Sequence, residues 1–262
     1  MVFVVDAGRA LARAAGRAVC TVLAYVGETV LLVRQVLGHV LRGEVTRGEA
    51  FEQMCRIGVA GLPLVVVTCG FSGLVFGVYT VAQFQRFGAR ELIGAVIGMS
   101  MSREVAPVLA ATVVAARSGS AIAAEVATMK VTEQLDALRA LATDPVEYLA
   151  VPRYVALVIM LPMLTLVGMF SGTFGALVFA VAQGVTFDQF YKSLVKNVPL
   201  DFVWTGCLKG VVFGALIAIA SIRQGLRCGY GAEAVGRTTT QAVVLDIIWI
   251  HTANLVLAML TT

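Results

Sequence analysis

The sequence predicts an all-α integral membrane protein with an N-terminal helix in the membrane interface, five transmembrane helices, and a cytoplasmic helix between spans two and three. Three observations carry this prediction. Of 262 residues, 59% are hydrophobic and only 14% charged, whereas a soluble domain carries about a quarter charged residues to cover its surface. Apolar runs recur at the length of about 20 residues that a helix needs to cross the hydrocarbon core. Lys and Arg concentrate in alternate connections, as orientation in a membrane requires.

Residues 7–42 place Arg9, Arg13, Arg17, Arg34 and Arg42 among Leu, Val and Ala. That is too often interrupted for a span but suits a helix lying in the interface; an ordinary amphipathic cytosolic helix is the plainer reading. The apolar run after Met1 is too short for a cleavable leader, and no such leader is expected. Span one covers about 57–85, and Ile57 to Gln85 holds no charge. Span two covers 92–116, interrupted by Arg103 and Glu104. Span three covers 154–182 without charge, span four 202–222 with Lys209, and span five 243–260 with Asp246 near its start.

The N-terminal region, the 117–153 connection and the 223–237 connection hold fourteen Lys and Arg, against four in the other two connections. This excess predicts a cytoplasmic N-terminus and, after five spans, an external C-terminus. The net charge of +4 then reflects topology and calls for no nucleic-acid partner. Cys20, Cys55, Cys69, Cys207 and Cys228 show no CxxC pairing, so neither a disulfide nor a metal site is expected. His39 and His251 stand alone and read as structural.

Lipid tails are as apolar as Leu, so helices in a bilayer associate by close contact at small residues. Such residues recur at every fourth position: Gly73 and Gly77; Gly94, Gly98 and Ser102; Gly168, Gly172 and Ala176; Gly206, Gly210 and Gly214. They predict tight helix pairs in a compact bundle and say little about function. Pro63, Pro107 and Pro162 each remove a helical hydrogen bond, and Pro107 frees the carbonyl of Arg103.

Arg103, Glu104 and Lys209 each cost about 2.5–3.5 kcal/mol inside a span unless paired or hydrated. They therefore predict a polar interior, with Glu104 and Lys209 as partners; a buried ion pair that only fixes register is the alternative. Neighbouring helical residues point about 100° apart, so Arg103 and Glu104 face different places. The 117–153 connection carries Glu125, Lys130, Glu133, Asp136, Arg139, Asp144 and Glu147, yet Ile122, Val126, Met129, Val131, Leu135 and Leu138 repeat at helical spacing. An amphipathic helix is expected there, ending at Asp144-Pro145. Such a helix suits docking into a motor protein's groove; a loop helix packed on its own bundle would look similar.

At this connection the chain resembles the MlaE/YrbE permease family, the membrane subunits of ABC transporters that work with MCE-domain lipid-binding proteins; chloroplast envelope lipid permeases belong to the same group. The carrying residues are Arg103-Glu104, Pro107, Arg117, Gly119-Ser120-Ala121, Ala124-Glu125, Met129, Glu133-Gln134, Asp144-Pro145, Pro152-Arg153 and the run Gly229 to Thr240. The match covers the chain after about residue 45.

The resemblance implies one permease domain over 1–262, working as a homodimer around a lipid cavity. The cavity would be lined by Arg103, Glu104, Lys209, Asn254, Leu74, Phe76, Val78 and Tyr79, and Glu125, Met129, Lys130, Glu133, Gln134 and Asp136 would couple it to an ATPase. It implies phospholipid as the cargo and, as partners, an ABC ATPase subunit, an MCE-domain protein and a small regulatory subunit on the ATPase. The location expected is the bacterial inner membrane with a periplasmic C-terminus; a plastid inner envelope is the alternative.

Two positions depart from the family pattern: Asn254, where bacterial relatives often carry Asp, and Tyr79, where many carry Gln. No GxxxxGK[ST] phosphate loop occurs, so this chain is expected to hold no cofactor, with ATP and Mg on the partner. No catalytic residue is expected, because HExxH, GxSxG and facing aspartates are missing. A scaffold that anchors an extracytoplasmic lipid-binding protein without transport is the rival reading.

Overall fold

The computed structural model describes the backbone of residues 2–261 and the side chains of residues 23–261, with Gly16 and Cys20 also placed. No strand occurs among the described residues. Helix α1 spans Val2–Arg42; the side chains of Arg9, Arg13 and Arg17 lie outside the described set. Among the described residues, five helices are long and apolar enough to cross a membrane: Arg47–Arg86, Arg90–Val131, Val146–Ala182, Leu200–Leu226 and Ala232–Leu260. Each contains one expected span and runs past it into polar residues.

The first crossing helix is α2, Arg47–Arg86. The second is composite: α3 (Ile93–Ser100), a π-helical turn (Met101–Val105), α4 (Ala106–Val114), a second π-helical turn (Ala115–Gly119) and α5 (Ser120–Val131). The first wide turn sits where Pro107 takes an N–H out of the ladder and its ring crowds the preceding turn. The chain adapts by a longer bond, Ala106 N–H donating to Met101 O. A short α6 (Gln134–Ala140) follows, then a π-helical turn at Val146–Ala150 leading into α7 (Val151–Ala182). The chain closes with α8 (Phe187–Asn197), α9 (Leu200–Leu226) and α10 (Ala232–Leu260).

Two elements differ from expectation. The amphipathic helix of the 117–153 connection is not one rod ending at Asp144-Pro145: it breaks at Thr132-Glu133, where Glu133 adopts φ 61 and Thr132 Oγ1 turns back to donate to Thr128 O at 2.8 Å. Its first part is continuous with span two. Between spans three and four the chain folds α8, started by a capping box in which Gln189 N donates to Thr186 Oγ1 at 3.4 Å and Thr186 N donates to Gln189 Oε1 at 3.4 Å. Gly94 lies against the carbonyl of Phe190, and Ala95 N donates to Ser193 Oγ at 3.1 Å, so the small stripe at the start of span two receives α8, not a span.

The other stripes meet each other. Gly73 faces the carbonyl of Gly172, and a Cβ at Gly77 would stand 3.0 Å from Ala176 Cα; this seam joins α2 to α7 along much of their length. Gly210 and Gly214 fit α9 against Pro162 and Leu157 of α7. The main core lies among α4, α5, α7 and α9, with Leu157, Leu161, Phe213, Ile217 and Ile222 buried together, and Leu32 and Val36 of α1 pack onto it.

The basic connections share one end of the bundle. There Lys130 Nζ donates to Leu226 O at 2.7 Å, and Arg153 bridges α7 to Glu125 of α5 at 2.9 Å. His39, at the end of α1, contacts Glu44 at 2.7 Å through Nδ1 and Asp144 at 3.5 Å through Nε2. The donor atoms of His39, Glu44 and Glu147 gather within 4.8 Å of one another, and carboxylates already occupy both ring nitrogens.

Candidate functional site

Glu104 and Lys209 meet. The first π-helical turn aims Glu104 at α9, where Lys209 Nζ donates to its Oε1 at 2.6 Å. From α10, Asn254 Nδ2 donates to Oε2 at 3.1 Å. Both carboxylate oxygens are thus engaged, one by a charge and one by an amide. The pair is asymmetric: the Lys209 side chain is 1% exposed and that of Glu104 39%. The ammonium is sealed between helices while the carboxylate opens outward. Asn254 Oδ1 is buried without a partner, an acceptor waiting for a donor.

Arg103 points elsewhere, as helical geometry requires. Its Nη2 donates to Thr261 O at 2.9 Å, and its guanidinium stands 5.6 Å from the Phe202 ring. The arginine thereby holds the far end of α10 beside the start of α9. The α2 residues expected to line the same chamber do not join this cluster within one chain. Phe76 packs onto a separate core with Ile97 and Met101. Leu74 lines an open apolar groove of about 300 Å³ with Phe71 and Phe174, Val78 is half-buried and Tyr79 is 71% exposed. α2 packs on α7 and α4 and has no extended contact with α9 or α10.

The six residues expected to couple to a motor separate into two groups. Glu125 and Lys130 turn toward their own bundle: Glu125 accepts from Arg153 at 2.9 Å and from Arg56 at 3.4 Å, and Lys130 binds the carbonyl end of α9. Met129 is half-buried in a cleft of about 230 Å³ shared with Glu49, Arg56, Tyr148 and Arg153. Glu133, Gln134 and Asp136 are exposed, with Asp136 held by Arg139 at 2.8 Å. The exposed edge at the break between α5 and α6 is the part open to another chain.

A third polar node was not foreseen. Asp246 is fully buried; its Oδ2 accepts from Ser221 Oγ at 2.7 Å and its Oδ1 has no partner. It presses on Gly119, the residue before α5, where a Cβ would stand 2.5 Å from Asp246 Oδ2. The sequence held one signal, a carboxylate inside a span with no neighbouring base, but nothing to identify Ser221 as its partner.

An all-helical bundle with five helices fit to cross a membrane, a charged cluster inside it and an exposed helical edge at its basic end defines a polytopic membrane protein of the transporter kind. Residues 50–260 match the family model described as Permease MlaE, and the chain belongs to that family. It is 42% identical to a probable ABC transporter permease protein of Synechocystis sp., over 87% of this chain and 88% of that one. It is also 42% identical to a probable ABC transporter permease protein of Rickettsia typhi, over 77% and 78%. With the protein Trigalactosyldiacylglycerol 1, chloroplastic, of Arabidopsis thaliana it shares 37% identity over 87% of this chain and 65% of that longer one. The chain is an ABC transporter permease.

Proposed function

We propose that this permease moves phospholipid or a related lipid between the membrane and an MCE-domain partner, as a homodimer driven by an ABC ATPase that binds the exposed edge at Glu133, Gln134 and Asp136. The observation that carries the reading is the Glu104–Lys209–Asn254 cluster: a desolvated ammonium pins a carboxylate whose other side is open. Mid-span charges of this kind mark substrate pathways, and a second copy facing the first would close the open side into a shared chamber. The name of the Arabidopsis relative, which is that of a glycolipid, supports lipid as the cargo.

In this reading acyl chains lie on the apolar walls, including Leu74, Phe76, Val78 and Tyr79, at about 0.8 kcal/mol per buried CH₂, while Arg103, Glu104 and Asn254 meet the headgroup. ATP and Mg act on the partner ATPase, which a small regulatory subunit accompanies. Nucleotide binding shifts the population of two bundle arrangements through α5. The basic end faces the cytoplasm of a bacterial inner membrane and the end of α10 the periplasm; a plastid inner envelope is the alternative setting.

Purification of the native complex tests the proposal. The expected result is an ATPase chain, two copies of the permease and co-purified phospholipid, with ATP-dependent lipid movement after reconstitution that Glu133→Lys abolishes. A lone copy without ATPase, or lipid movement indifferent to ATP, refutes it.

A further inference from the structure

A second apolar feature lies away from the Glu104 cluster, where α1 leans on α9 and α10. A slot of about 200 Å³ is lined by Tyr25, Tyr154, Ala215, Leu216, Ile219 and Trp249, among others. Its walls are mainly apolar; the Thr29 hydroxyl is turned back to donate to Tyr25 O at 2.8 Å, and Trp249 Nε1 donates to Tyr25 Oη at 3.3 Å. Its α9 wall runs from Ala215 to Ala220, about 7.5 Å at 1.5 Å rise per residue. Arg223 lies beyond that wall, one turn past Ile219 and against the ring of Tyr25, which lines the slot.

Arg223 is 4% exposed, and its guanidinium lies 3.6 Å from the centre of the Tyr25 ring. Its Nη2 donates to Glu28 Oε2 at 3.1 Å; Arg227 reaches the same carboxylate through Nε at 3.1 Å and Nη2 at 3.3 Å. Two guanidinium charges therefore share one carboxylate, which leaves a positive charge at the mouth of an apolar slot. Arg223 Nε is buried with no acceptor, so the donor set is incomplete as well.

We propose that this slot and the arginine pair beyond it bind one anionic glycerophospholipid of the adjoining leaflet, its phosphate on the half-exposed Arg227, whose charge Arg223 leaves unneutralised by taking Glu28, and part of one acyl chain along Ala215 and Ile219. The occupant is an intact lipid and not free phosphate, because the charge lies just past an apolar slot on the same face of α9. It is anionic because the mouth carries an uncompensated cation. The bound lipid would fix α1 against α9, apart from any cargo in the chamber, so the inference holds whether or not the permease moves lipid.

The test uses the full chain in a Trp204→Phe background, so that fluorescence reports Trp249 beside the slot. Quenching is measured in vesicles containing brominated phosphatidylglycerol or brominated phosphatidylcholine. Half-quenching is expected at an about fivefold lower mole fraction of the anionic lipid, the effect of roughly one basic residue. Arg227→Gln should bring the two lipids to equality, and Ala215→Leu, which fills the slot, should weaken quenching by both. Lys209→Met should leave the preference intact. Equal quenching by the two lipids in the starting chain, loss of the preference with Lys209→Met, or displacement by soluble glycerol phosphate would each overturn the proposal.

Discussion

Cutting the Glu104–Lys209 pair from either side should give unequal losses. Glu104→Gln leaves the Lys209 ammonium enclosed at 1% exposure with an amide oxygen as its remaining acceptor. Stranding a buried charge costs about 3–5 kcal/mol, and the retained hydrogen bond places this case near 3 kcal/mol. Lys209→Met instead fills the same volume with an apolar chain and leaves a carboxylate that is 39% exposed and still accepts from Asn254 Nδ2. Water reaching the open side reduces that loss to about 1 kcal/mol.

At roughly 2–4 °C per kcal/mol, Glu104→Gln should lower the melting temperature by roughly 6–12 °C and Lys209→Met by roughly 2–4 °C. The double variant should melt near Lys209→Met, because removing the ammonium removes the stranded charge. The assay is thermal unfolding of the reconstituted permease followed by near-ultraviolet circular dichroism, with lipid movement measured on the same samples. If Lys209→Met is as damaging as Glu104→Gln, or if the two losses simply add, Glu104 does not open to water and the chamber argument fails. If both variants keep full lipid movement, the pair is structural only.

Other outcomes follow from the same geometry. Gly73→Val drives a side chain into the Gly172 carbonyl and should cost at least the 1–3 kcal/mol typical of overpacking, read by thermal unfolding, whereas Gly48→Ala, with open space around it, should raise stability by roughly 0.5–1 kcal/mol. Asp246→Asn keeps an acceptor for Ser221 and should change stability by less than about 1 kcal/mol, while Gly119→Val should unseat α5 and lower ATPase attachment in a pull-down. Glu125→Ala leaves Arg153, largely buried, without its carboxylate and should destabilise by about 3 kcal/mol; Glu133→Lys, on an exposed site, should leave melting unchanged and act on partner binding alone.

The sequence revealed most where chemistry forbids alternatives. Charges at 103, 104 and 209 inside apolar runs had to find partners, and the 100° step between neighbours separated Arg103 from Glu104 before any coordinates. Gly73 and Gly77 announced a close seam, and Gly172 and Ala176 supplied its other side. Legibility failed where a residue's role depends on a partner distant in the chain. Nothing local marks Ser221 as the neighbour of Asp246 or Glu28 as the clasp of Arg223. The 117–153 connection misled for a different reason: its apolar spacing continues through Leu138, but Glu133 takes a left-handed conformation that periodicity does not register. The Thr186–Gln189 cap that starts α8 is local and carries a sequence signature, one that a count of charges in that connection does not register.

The composite helix from Arg90 to Val131 makes the Glu104 cluster and the exposed edge after α5 parts of one continuous rod. Twenty-one residues separate Glu104 from Glu125, about 31 Å at 1.5 Å per residue, with no intervening loop to absorb displacement. The two wide turns in that rod fall beside Glu104 and just before α5, where an extra residue in the winding can slip by one position without uncoiling the rest. A thrust delivered at the exposed edge after α5 would therefore arrive at the carboxylate as rotation and axial travel, geared by those two turns.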